Sequence, residues 1–135
     1  MEEKRPRITS AVLVQWENKF LLGKRNKINA QGKWVIPGGG IKFGETALAA
    51  GKRELKEETN LDITIEKLLC VKEIIATAAD YHTIIFFHLA TSRNPQQLAP
   101  SDDLSEVGFF TIDKIKQMDC VESVKAVLIE AGLWK

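Results

Sequence analysis

Long apolar runs are missing from this 135-residue chain. No stretch approaches the roughly 18 residues that a membrane-spanning helix needs, so no membrane association is expected. The charged start, Met1 to Arg7, is followed by an apolar stretch, Ala11 to Val14, too short for the core of a secretory signal. Cysteine is scarce. Cys70 and Cys120 lie far apart and match no metal spacing, so reduced thiols in a cytoplasmic protein are expected. A surplus of one charge is also lacking, with 19 Lys and Arg against 18 Asp and Glu, a net of +1. A dedicated nucleic-acid binder carries a strong basic balance, so stable nucleic-acid binding is not expected. Internal repeats, low-complexity segments and an acidic tail are absent as well. What remains is 44% hydrophobic and 27% charged residues, the composition of a globular domain. The length suits one domain over residues 1–135.

The first third reads as β. Ile8 to Gln15 and Lys19 to Gly23 are apolar segments parted by Glu17-Asn18, a hairpin turn. Lys24 to Lys33 is polar and reads as a loop. Trp34 to Ile36 is a short strand stopped by Pro37. Gly38, Gly39, Gly40 and Gly44 crowd a tight connection. Thr46 caps a helix that runs to Thr59, and Asn60 suits its left-handed end. Ile63 to Ile75 and Thr83 to Thr91 read as paired strands. Asn94 to Ser105 is a loop, Glu106 to Thr111 a strand, and Ile112 to Gln117 one or two helical turns. Val121 to Leu133 has helical spacing. Strands mixed with two substantial helices imply an α/β sandwich on one sheet.

On a helical wheel of the 46–59 segment, Leu48 and Leu55 point towards a core, and Lys52, Lys56 and Ala49 turn towards solvent. Glu54, Glu57 and Glu58 share the other side, with Glu58 nearest the core and Glu57 furthest from it. Ala47, Ala50 and Gly51 lie beside that arc and leave room for the glycine loop. Three carboxylates on one face repel each other. A hard divalent cation such as Mg²⁺ would offset the repulsion. A solvated acidic face is the plain alternative. The glycine run lacks the Lys-Ser/Thr of a P-loop and the spacing of a dinucleotide motif.

Taken together these residues form a pattern. Gly39, five residues, Glu45, seven residues, then Arg53-Glu54-Leu55-Lys56-Glu57-Glu58-Thr59-Asn60-Leu61 resembles the box of the Nudix hydrolases, the MutT-like family. Every fixed position matches except Asn60, where that family has Gly; Asn is the next-best left-handed residue. Leu21 to Arg25, Gly32-Lys33-Trp34 and Pro37-Gly38-Gly39 resemble the family's approach to the box. Glu106 before Phe109-Phe110 resembles its later acidic residue.

The resemblance implies an α/β/α sandwich around a mixed β-sheet. It also implies hydrolysis of a diphosphate linkage in a nucleoside diphosphate derivative: a nucleoside triphosphate, a nucleotide sugar or ADP-ribose. It implies Mg²⁺ or Mn²⁺, held by Glu54, Glu57, Glu58 and the Gly38 carbonyl, with Glu106 as auxiliary ligand or base. Arg53 would orient a glutamate, and Gly39 and Glu45 would give structural support. Either Glu54 or Glu106 would take the proton of the attacking water. Lys24 and Arg25 would grip phosphate or merely solubilise the surface; Trp34 would stack on a base or sit in the core. Family members are often homodimers. A catalytically silent nucleotide-binding or regulatory module is the alternative, and the intact carboxylates oppose it.

Other residues carry weaker readings. His82 and His88 stand six apart on one strand and face the same side, with packing or surface roles expected. Tyr81 precedes that strand as a substrate contact or surface aromatic. Cys70 lies in a strand, and Cys120 begins a helix. Asp102 and Asp103 assist a metal or belong to a polar loop. Charge divides along the chain. Residues 1–34 carry eight basic and three acidic side chains, and residues 35–135 carry eleven and fifteen. Lys19 to Lys33 holds five basic residues and no acidic one.

Overall fold

The structure is a computed structural model describing residues 3–26, 31–101 and 103–135. Its elements run β1 (Arg7–Trp16), β2 (Lys19–Arg25), β3 (Trp34–Val35), β4 (Gly38–Gly40), α1 (Ala47–Thr59), β5 (Ile63–Ala76), β6 (Tyr81–Ser92), β7 (Leu104–Phe110), α2 (Ile112–Ile115) and α3 (Glu122–Glu130). Single 3₁₀ turns occur at Thr77–Ala79 and Pro95–Gln97. All seven strands form one sheet with the path β3-β2-β1-β6-β5, β4 pairing β1 and β7 pairing β2. β1 and β6 are parallel and the other pairs antiparallel, so the sheet is mixed.

β1 lies at the centre because both of its faces are apolar, the pattern of a strand covered on two sides. Ala11 and Leu13 join Phe20, Leu22 and Phe87 in a core sealed by Ile115 of α2 and Val124, Val127 and Leu128 of α3. Val12 and Val14 join Leu21 and Ala90 in a second core sealed by Leu55 of α1. Helices on opposite faces make the three-layer α/β/α sandwich. Among the described residues no helix is long and apolar enough to cross a membrane.

Gly38 to Gly40 of the expected tight connection form a strand. β1 changes neighbours along its length, pairing β2 at Gln15 and Trp16 and β4 at Thr9 to Ala11. A Cβ on Gly38 would run into the Ser10 carbonyl and Ala11 Cα, so only glycine permits this approach. β2 also continues to Arg25, because β7 supplies a partner as far as Leu104. Residues 27–30 of the expected loop lie outside the described residues. The Glu17-Asn18 turn holds, with Glu17 at φ 57°.

Three helical details differ from expectation. Leu48 is 46% exposed although it points in the same direction as Leu55. It lies two turns earlier, where buried Ala50 and Gly51 make the contact with the sheet. The last helix is shorter than its apolar spacing, because Gly132 at φ 74° ends it and Leu133 N–H folds back onto the Leu128 carbonyl. Cys120 does not open that helix; it bridges to Trp34.

Gly51 yields a prediction against helix propensity. Alanine normally gains about 1 kcal/mol over glycine in a helix interior. Here the added Cβ would sit 2.9 Å from Val12 Cγ2 and 3.0 Å from Ser10 Oγ, and neither can yield. Both side chains are fully buried. Overpacking of this kind costs about 1–3 kcal/mol, so Gly51→Ala is expected to lower stability. Urea denaturation measures it; a raised midpoint would show that the contact is slack.

Candidate active site

α1 begins where Thr46 Oγ1 accepts the Ala49 N–H at 3.0 Å. It ends at Asn60, whose φ of 64° lets its N–H reach the Lys56 carbonyl. The segment that follows the 3₁₀ turn at Pro95 lies against this end. Ala99 and Ser101 N–H groups donate to the Thr59 and Glu58 carbonyls.

Arg53 is the hub of the exposed side of α1. Its Nε and Nη2 grip both oxygens of Glu45 at 2.9 Å, and Nη2 also donates to the Gly40 carbonyl at 2.9 Å. Its Nη1 donates to Glu54 at 2.8 Å and to Glu57 at 3.3 Å. One planar cation thus ties α1, the loop before it and β4 together, a bidentate role that lysine does not fill. Hydrogen bonding to Glu45 drives the Arg53 pKa still higher, against the opposing effect of burial. Glu45 in turn falls to about 2, chiefly through the Arg53 hydrogen bonds and then through the Lys42 N–H at 3.1 Å.

Glu58 is 3% exposed, and its Oε1 accepts the Gly38 N–H at 3.1 Å. Gly39 leaves the space that Glu54 occupies, since a Cβ there would run into the Glu54 carboxyl. Glu57 is the most open of the three, with a side chain 46% exposed. The burial order follows the wheel.

These groups line a cleft of about 700 Å³. One wall is Gly38 to Gly40 with Glu54, Glu57 and Glu58. Ile85 and Phe87 form an apolar floor, and Ser123 and Ala126 of α3 form another side. Arg7, Arg25 and Lys72 bring positive charge, and Asp103 faces in with them. Arg25 Nε is shielded from solvent and has no hydrogen-bond partner among the described residues. A buried donor left in this way costs about 1–3 kcal/mol.

A family model described as NUDIX domain matches residues 4–131. The chain belongs to the NUDIX family. It is 32% identical over 114 residues to an ADP-ribose pyrophosphatase of Methanocaldococcus jannaschii, covering 84% of this chain and 66% of that protein. It is 31% identical over 111 residues to an oxidized purine nucleoside triphosphate hydrolase of Danio rerio, covering 81% and 69%. A MutT NUDIX hydrolase from Burkholderia pseudomallei superposes with a TM-score of 0.83 at 23% identity, covering 94% and 98%, which shows the shared fold.

The NUDIX box residues Gly39, Glu54, Glu57 and Glu58 meet at the cleft with the preceding Gly38, and Arg53 and Glu45 are bonded to its wall. Of the basic segment Lys19 to Lys33, Arg25 lines it among the described residues; Lys24, Trp34 and Glu106 do not. Lys24 and the exposed Glu106 face each other across β2 and β7. Trp34 packs edge-on against Phe110 at 5.2 Å, next to the core under α3. Asp102 lies outside the described residues. Tyr81 lines the cleft, and His82 pairs with Glu73 at 2.9 Å. Arg7, Lys72 and Ser123 carried no sequence signal, because the topology alone brings them to the box. Among the described residues no three His, Cys, Asp or Glu side chains form a ready metal cage.

The Glu45–Arg53 bond predicts a pH dependence. The folded carboxyl is depressed, so its stabilisation is complete above its ordinary 4.5 and is lost as pH falls towards about 2. In metal-free protein, carbon-detected NMR should place the Glu45 midpoint near 2, and Arg53→Ala should return it towards 4.5. An unmoved midpoint in the variant would remove Arg53 as the cause.

Proposed function

We propose that this NUDIX domain is a metal-dependent pyrophosphohydrolase that cleaves a diphosphate linkage by attack of water on phosphorus. The observation that carries this is the meeting of Glu54, Glu57 and Glu58 with Arg25 in one cleft. Carboxylate oxygens and a glycine carbonyl are hard donors, and their chemistry fits Mg²⁺ or Mn²⁺. Glu54, Glu57, Glu58 and the Gly38 carbonyl would hold the ion, with Glu54 and Glu57 turning from Arg53 Nη1. A bound cation would neutralise diphosphate oxygens and lower the pKa of a bound water.

The remaining work falls to the chain. Glu54, inside the cleft beside Gly39, accepts the proton of the attacking water. Glu106 lies outside the lining, which favours Glu54 for this role. Arg25, which lines the cleft, supplies positive charge to the substrate phosphates. Ile85, Phe87 and Tyr81 receive the organic part of the substrate. The named activities of the archaeal and zebrafish relatives act on different nucleotides. The candidates are therefore ADP-ribose, nucleotide sugars and nucleoside triphosphates.

Glu57→Gln and Glu58→Gln are each expected to lose roughly a hundredfold or more of turnover with the fold kept. The assay is product release with Mg²⁺ over a nucleotide panel, with products identified by mass. Full activity in either variant rejects the assignment. A wild-type protein that releases nothing with Mg²⁺ or Mn²⁺ supports a silent binding module. Arg25→Ala should raise KM about tenfold or more, the worth of a charged hydrogen bond, while Lys24→Ala leaves it unchanged. Equal effects of the two would return phosphate binding to the segment's general charge.

A further inference from the structure

Beneath the first turns of α1 lies a buried polar pair with no part in the reaction above. Ser10 on β1 is fully buried, and His88 on β6 is 5% exposed. Ser10 Oγ donates to the carbonyl of Ala47, the first residue of α1, at 2.6 Å. His88 Nε2 stands 3.1 Å from Ser10 Oγ. A serine hydroxyl has one hydrogen. Ala47 takes it, so the second contact closes only if Nε2 carries a proton and donates. The geometry thus calls for a proton on His88 Nε2. Burial pushes its pKa down, which agrees with a neutral ring.

The pair depends on Gly51. A Cβ there would lie 3.0 Å from Ser10 Oγ and 3.7 Å from His88 Cδ2. Ser10 also faces the glycine strand, since its backbone is in register with Gly39. Its carbonyl is one of the atoms that forbid a side chain on Gly38. Ser10 therefore holds β4 by its main chain and α1 by its side chain. Those are the two elements whose separation lets Glu58 reach the Gly38 N–H and Glu54 fill the space at Gly39.

We infer that Ser10 and His88 are positioning residues that set the height of α1 over β4, and with it the placement of Glu54 and Glu58. His88 acts through Ser10 by fixing the direction of its hydroxyl. Its catalytic consequence rests on the hydrolase reading; its structural consequence does not.

The test compares His88→Leu, His88→Gln and Ser10→Ala with the wild type. Nitrogen NMR of the wild-type imidazole should show a neutral ring protonated at Nε2; an Nδ1–H ring overturns the inference. Amide exchange at Gly38, followed by NMR, should quicken about tenfold or more in His88→Leu and Ser10→Ala, while amides of Ile74 and Ile75 on β5 stay unchanged. The glutamine amide can still donate to Ser10, so His88→Gln should stay within about threefold of wild type. In the assay, kcat should fall about tenfold in His88→Leu with KM little changed, the range typical of residues that orient a site from behind. Unchanged Gly38 exchange in His88→Leu overturns the inference. So does equal loss in His88→Leu and His88→Gln, which marks simple packing. Should His88→Leu not fold, Ser10→Ala, the smaller change, decides by the same exchange. If the wild type hydrolyses no nucleotide, the hydrolase reading fails, and exchange at Gly38 alone decides the positioning role.

Discussion

Backbones meet here with almost nothing between them, and the rest of the structure depends on that closeness. β4 lies against β1 because Gly38 has no side chain to meet Ser10 and Ala11. α1 lies against β1 because Gly51 has none to meet Val12 and Ser10. With both elements drawn onto one strand, a glutamate from the helix reaches a main-chain N–H of the strand. Main-chain separation, rather than rotamer choice, therefore sets where Glu58 stands. A methyl group at either glycine would push apart the elements that carry the carboxylates.

Charge is arranged on this frame in a divided way. Three carboxylates on one helical face and Glu45 beside them would repel each other. Arg53 offsets this with its two faces kept distinct. Nε and Nη2 bind Glu45 and the Gly40 carbonyl, which belong to the frame. Nη1 binds Glu54 and Glu57, which belong to the cleft. A cation taking up those two carboxylates would displace only Nη1. The frame contacts would persist, so the site would exchange one positive partner for another without loosening the loop.

What was legible in the sequence was local. Thr46 and Asn60 mark the ends of α1 because caps are made within a few residues, and spacing alone brings Arg53 to Glu57. The box glycines were legible as necessary but not as a strand, since their partner β1 lies thirty residues earlier and no local pattern names it. Leu48 shows the limit of the wheel, which gives direction and not depth. Alternation explains why Lys24 and Arg25 separate. Neighbours in a strand face opposite sides, so a run of basic residues does not enter a cleft as a block. Arg7 and Lys72, absent from that run, enter it from β1 and β5.

The two arginines of the site show how a satisfied group differs from an available one. Arg53 has five N–H donors and an acceptor for each, on Glu45, Gly40, Glu54 and Glu57. Its hydrogen bonds are spent on the protein, and it is a fastening. Arg25 has a shielded Nε without a hydrogen-bond partner among the described residues. Folding has removed that donor from water without an acceptor among the described residues, so it fastens nothing there, while Arg25 still lines the cleft. The same guanidinium chemistry serves as structure in one place and as a candidate binding group in the other. The difference lies in how many acceptors the fold supplies, not in the residue or in the net charge of its segment.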